Sequence, residues 1–245
     1  DREKIYEELE NAELYKSNIK FNPAGDLIDK SMSLPKNLED FWIKSVGNTL
    51  YEKFVKYYTQ KMWLTKDNKT IDNFGWSPKG VTIKDGGRES WGSAISAYPI
   101  APNGYNDYFD LATDNVRVLL NTQIEKYDIP NKTVTIDGKE HLYDIIINTI
   151  SPDIIMNNTY GELKYIGRDL IKFILPVKNA LPGKTYFLYY AGKEEFTRIV
   201  EYKKLTKQNL DSPTTLLTIE FPSKNGKYYP LPYNSEINKA KKYFN

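Results

Sequence analysis

"YEKFVKYYTQKMW", Tyr51–Trp63, is the stretch on which the reading turns. Aromatic rings at Tyr51, Phe54, Tyr57, Tyr58 and Trp63 are interleaved with lysines at 53, 56 and 61. A helix over Leu50–Met62 would stack Phe54, Tyr58 and Met62 on one face at four-residue spacing. Trp63, five residues beyond Tyr58, leaves that face unless the helix ends there. A plain core helix does not need so many polar-tipped rings. Three readings follow: a core stripe with tyrosine tips at its rim, the wall of a small-molecule site, or a stacking surface for single-stranded nucleic acid.

Upstream, "DREKIYEELENAELYKS" holds good helix formers, with Ile5, Leu9 and Ala12 roughly aligned. "FNPAGD" breaks the pattern, and Asn37 with Asp40 three residues on supplies a helix start. Gly47 marks a helix junction or a close approach. Downstream, 64–96 is rich in turn formers, and "PNGYNDYFDLATD" reads as a short helix. Strand signals dominate from residue 115: "NVRVLLNTQIEKYD", "KTVTIDGKEHLYDIIINTIS", "RDLIKFILPV", "KTYFLYYAG", "FTRIVEYKKL" and "TTLLTIEFPS". Asp137-Gly138 is a hairpin turn, and "YDIIINTISP" reads as a strand covered on both faces. The tail from 236 begins a helix. The class is α+β: a mainly helical part over 1–114 with a mobile loop near 64–97, strands over 115–160, and an antiparallel sheet over 161–235.

Composition narrows the function. Lys and Arg number 34 against 32 Asp and Glu, so no strongly basic surface is available for nucleic acid. The absence of cysteine excludes disulfide scaffolds and thiolate metal sites, and a cytoplasmic setting fits. No apolar run approaches a membrane span. His141 is the single histidine, which argues against histidine triads and histidine metal clusters. Neither G-x-G-x-x-G nor G-x-x-x-x-G-K-[ST] occurs. Tyrosine is twice as frequent as phenylalanine, 20 against 10, which suits polar planar ligands or reflects genome composition.

Two further stretches carry candidate chemistry. In "EEFTRIVEYKK" alternation places Phe196, Arg198, Val200 and Tyr202 on one strand face. An arginine among aromatic neighbours needs an anion: a bound phosphate or carboxylate, or a structural glutamate or aspartate. In "SAYPIAPNGY", Tyr98 stands in a loop of the kind that carries binding groups or merely packs.

Together these stretches resemble the UDP-galactopyranose mutase family, within the flavin amine-oxidase-like superfamily. "GNTLYEKFVKYYTQKMW" resembles G-x-x-L-Y-E-x-F-x-x-x-Y-T-x-K-x-W. "YPIAPNGYNDYFD" resembles Y-x-x-x-P-x-x-G-Y, "FTRIVEYKK" resembles Y-T-R-I-x-E, and "IEFPSKNGKYYPLP" resembles R-E-Y-S followed by Y-Y-P. The resemblance implies an isomerase that interconverts UDP-galactopyranose and UDP-galactofuranose through a covalent sugar adduct of reduced FAD. It implies that Phe54 and Tyr58 line the uracil pocket and that Trp63 sits at the base of a mobile lid. Tyr98 and Arg198 would bind the diphosphate, with Arg88 as the nearest match to a second family arginine. Phe221 falls where the family has a tyrosine, so one phosphate-directed hydroxyl is missing. The chain corresponds to the family's central portion: the helical substrate domain, strands of the flavin domain over 115–160, and the substrate-domain sheet. It is therefore expected to hold FAD poorly and not to turn over alone. Its expected partner is UDP-galactose or another nucleotide sugar, and a homodimer is compatible. The alternatives are a related flavin amine-oxidase-like protein with another substrate, and a non-catalytic sugar-nucleotide-binding module.

Overall fold

The structure is a computed structural model that describes residues 2–12, 35–74 and 97–244. It divides into two compact units, one of residues 1–100 with 165–234, the other of 101–164 with 235–245.

The first unit combines helices with a mixed-length antiparallel sheet. Helix α1, Arg2–Asn11, packs on α2, Leu38–Leu50. Asn37 caps α2 by accepting the N–H of Asp40 at 2.9 Å. Gly47 has φ +80° and kinks α2, and a Cβ there would lie 2.5 Å from Glu8 Cβ. Both sequence readings of this glycine therefore hold. The opening stretch is not one regular helix. Tyr51–Val55 forms a π turn, in which Lys56 N–H reaches back five residues to Tyr51 O. The α geometry resumes as α3, Lys56–Met62, and stops at Trp63.

The residues after α3 differ from the lid expected of them. Thr65–Phe74 is built into the core through a 3₁₀ turn at Asn68–Thr70. Asn68 is fully buried and donates to Tyr51 Oη at 2.9 Å and Lys56 O at 3.1 Å. Ile71 O accepts from Leu38 N at 2.9 Å. A lid needs few buried contacts, whereas this segment buries an asparagine and an isoleucine. The remainder of the expected loop, 75–96, lies outside the described residues.

The sheet of this unit runs β5-β6-β7-β4-β8, all antiparallel, with β4 Tyr165–Leu175, β5 Phe187–Tyr189, β6 Arg198–Glu201, β7 Thr215–Ser223 and β8 Tyr229–Pro230. Strand β6 ends sooner than its alternation suggests, because Tyr202–Thr206 turns into a short helix. Leu38, Phe41, Trp63, Ile71 and Ile166 form the core.

The second unit holds the short helices α4, Asn106–Ala112, and α5, Pro152–Ile155, with a three-stranded meander. Its strands are β1 Lys126–Asp128, β2 Thr133–Ile136 and β3 Lys139–Leu142. Asp137 and Gly138, both at positive φ, make the two-residue hairpin turn read from sequence. The flanking apolar runs do not behave as expected. Residues 117–125 and 143–149 form no strand, and Leu120, Ile145 and Ile147 are exposed, the last at 86%. Apolar residues do not make a strand unless a neighbour supplies ladder partners, and none of the described residues does so here.

Candidate active site

The sheet carries its chemistry at the centre of β6, β7 and β4. Register pairs Arg198 with Glu220, and Glu220 with Leu170, in one row across three strands. Arg198 is therefore held by an adjacent strand, as a structural reading of a half-buried arginine requires. Both its Nε (2.8 Å) and its Nη2 (2.6 Å) donate to Glu220 Oε2. The other oxygen of Glu220 accepts from Thr197 Oγ1 at 2.8 Å.

The structure adds a residue that sequence reasoning missed. Arg168, two positions before Leu170 on β4, brings a second guanidinium to the same carboxylate, with Nε 3.5 Å from Glu220 Oε1. Its side chain is only 5% exposed. It donates to Gly167 O at 2.7 Å and to the Met62 sulfur, and it lies 4.4 Å from the centre of the Tyr229 ring. Gly167 is needed there, because a Cβ would lie 1.3 Å from the Asn225 carbonyl oxygen. Burial lowers the Arg168 pKa. Burial pulls in the same direction at Arg198, but the hydrogen bonds and charge of Glu220 outweigh it and raise that group. Two cations on one anion leave a net charge of +1 in a half-buried place.

Tyr58 of α3 completes the cluster. Its ring meets Tyr189 edge-on, with centroids 6.0 Å apart, and its charge environment is set by Tyr189, Arg198, Glu220 and Arg168. Burial is the main cause that pushes its hydroxyl up to about 12, so it stays protonated at neutral pH. Helix α3 is fixed against the sheet side by Lys61, which donates to Gly192 O at 3.1 Å and Glu194 O at 3.0 Å. Lys61 is thus largely covered, with its side chain 11% exposed.

The remaining expected site residues lie elsewhere. Trp63 packs in the core against Leu38, Phe41, Ile71 and Ile166. Phe54 is carried by the π turn and is 62% exposed. Phe221 follows Glu220 on β7, so alternation sends it to the opposite sheet face, where its ring meets Phe196 at 6.0 Å; Phe196 is therefore not on the face of Arg198 as its spacing suggested, because β6 begins only at Arg198. Tyr98 edges an open cleft of about 530 Å³ with Tyr186, Lys184 and Lys204, to which Arg198 does not contribute. Arg88 lies outside the described residues. Among the described residues no group of three or more His, Asp or Glu could hold a metal ion, and no helix is long and apolar enough to cross a membrane.

Comparison with protein families settles the kinship. A family model described as UDP-galactopyranose mutase matches residues 53–245. The chain belongs to the UDP-galactopyranose mutase family. Comparison with curated proteins gives no match. Among solved structures, the crystal structure of reduced UDP-galactopyranose mutase superposes with a TM-score of 0.68 at 14% identity. That alignment covers 99% of this chain and 64% of the mutase, so the chain spans a little under two thirds of that relative. At this identity the superposition speaks for the fold: mixed helix and antiparallel sheet, as the mutase family resemblance implied.

Proposed function

We propose that this chain carries the nucleotide-sugar site of a UDP-galactopyranose mutase, with Arg198 on the diphosphate and Tyr58 against the uracil. The observation that carries the reading is the Arg168–Glu220–Arg198 cluster with its single unbalanced positive charge beside a tyrosine face. Arg198 is one-third exposed, and its Nη1 has no bond among those described, so it can add a phosphate oxygen to the carboxylate it already holds. A half-buried, protonated tyrosine beside it offers a flat face and a neutral donor, which suits a planar base next to an anion.

The family's flavin is a separate matter. The sequence has no glycine fingerprint for the FAD pyrophosphate, and none of the clusters described above supplies one. The residues at hand do not fit the flavin. What these residues do is bind and orient: the guanidinium fixes the diphosphate, and the tyrosine fixes the base.

Calorimetric titration tests the binding. UDP and UDP-galactose should bind with similar affinity, and Arg198→Ala should weaken both by about 100-fold, as loss of a charge-assisted contact in a half-buried place does. Absence of UDP binding by the unaltered chain would overturn the reading. With reduced FAD this chain alone should not convert UDP-galactofuranose to UDP-galactopyranose, and turnover detected by chromatography would overturn that expectation.

A further inference from the structure

Glu220 has two cationic neighbours but hydrogen-bonds only one of them. Arg198 takes Oε2 through two nitrogens, whereas Nε of Arg168 lies 3.5 Å from Oε1 and its N–H has no acceptor among the described residues. Arg168 cannot follow a ligand outward. Its Nη1 and Nη2 are tied to Gly167 O and the Met62 sulfur, its face rests on Tyr229, and its side chain is almost wholly buried. Arg198 can move, being one-third exposed.

A phosphate that draws Arg198 away would, in a simple ion pair, strand a buried carboxylate, which is strongly unfavourable. Here the carboxylate has a fixed cation in reserve, with an Nε 3.5 Å away whose N–H has no acceptor among the described residues. We infer that Arg168 is a positioning residue that takes over Glu220 when a nucleotide diphosphate engages Arg198. The carboxylate then closes the short remaining gap to Arg168 Nε, keeps its hydrogen bond from Thr197, and releases donors of Arg198 to the ligand. Arg168 need not touch the ligand at all. This rests on the proposed nucleotide-sugar reading, and the experiment separates the two.

The first measurement uses the unaltered 245-residue chain. Arginine Nε–H resonances are followed by nitrogen-15 NMR during titration with UDP and, separately, with inorganic pyrophosphate. The Arg168 Nε–H signal should move downfield at saturation, as a proton does on gaining a carboxylate acceptor, together with a change at Arg198. The second measurement compares variants by calorimetry. Arg168→Met should weaken UDP binding by about 30-fold, the scale of one charged hydrogen bond, while leaving uridine binding within about twofold. Arg168→Lys should recover a substantial part of the UDP affinity, because the buried charge is kept. A purely structural role would weaken UDP and uridine alike. If UDP binds while the Arg168 signal stays still, or if Arg168→Met leaves UDP affinity intact, this inference fails and the function reading stands. If neither UDP nor pyrophosphate binds the unaltered chain, both fail.

Discussion

Two buried carboxylates sit on neighbouring strands of the same sheet and teach opposite lessons. Glu201, at the end of β6, has its charge fully accounted for. It accepts the N–H groups of Ala180 (3.0 Å) and Leu181 (2.9 Å) and the hydroxyl of Thr215 (2.8 Å), and it pairs with Lys204 at 3.1 Å. Lys204 also donates to Leu181 O, so the group closes a loop onto the sheet. Glu220, on β7, is the minority charge between two arginines. A saturated carboxylate is architecture, whereas a contested one leaves charge over for a ligand. Burial and hydrogen bonding alone do not tell the two apart; the balance of charge does.

Replacing each carboxylate by its amide should break or sharpen that contrast. The largest effect is expected for Glu201→Gln, which leaves Lys204 buried without its anion and should cost about 3–5 kcal/mol, read from denaturant unfolding at pH 7. The same variant removes an acid sensitivity. Burial opposes ionisation of Glu201, but the backbone N–H groups of Ala180 and Leu181, with Thr215 and Lys204, hold its carboxyl down at about 2 against an ordinary 4.5. Between those values the unfolded chain binds the proton and the folded chain does not. The contribution is therefore complete above pH 4.5 and lost as pH falls towards 2. Glu201→Gln should flatten that part of the stability profile.

Glu220→Gln comes next, at about 2–3 kcal/mol, because it raises the cluster from one unbalanced charge to two. Its thermal midpoint should recover when pyrophosphate is added, by linkage to anion binding, whereas that of Glu201→Gln should not. Equal recovery in both variants would erase the distinction. Tyr58→Ala should weaken UDP binding by about 1–3 kcal/mol, the range of one base stacked on a ring, and Tyr58→Phe by far less. Phe54→Ala should change stability by less than about 0.5 kcal/mol, given its exposure, and a larger loss of UDP affinity would restore Phe54 to the site.

Much of this was legible beforehand, because it depends on local signals. The Asn37 cap, the Gly47 junction, the Asp137-Gly138 turn and the long strands β4 and β7 are written in short-range chemistry. Arg198 stood out as a cation among aromatic residues on a strand. Arg168 did not, because alternation in "GRDLIKF" puts charged and apolar residues on both faces and so marks neither as buried. Its burial depends on Met62 and Tyr229, each roughly 60 or more residues away, and such convergence leaves no trace in spacing. For Trp63 the spacing showed that it leaves the helix face but not where it goes. Its partners, Leu38 and Phe41 on one helix, Ile71 and Ile166, come from three separate places in the chain. The exposed runs around 120 and 147 show the converse limit. Apolar letters state what a segment would accept as a neighbour, and a neighbour must still be there.

The π turn at Tyr51–Val55 has a consequence for how this helix tolerates changes in length. A π turn is an α-helix holding one surplus residue, so the flanking turns keep the registers they would have without it. Deleting a single residue at Lys53 should let the surplus relax into ordinary α geometry while Tyr58 still meets Tyr189. Deleting one residue inside α3 would instead rotate everything upstream by about 100° relative to Tyr58 and Met62. One gap of equal size should then be nearly silent in UDP binding and the other disabling, a difference set only by where along the helix the slack is stored.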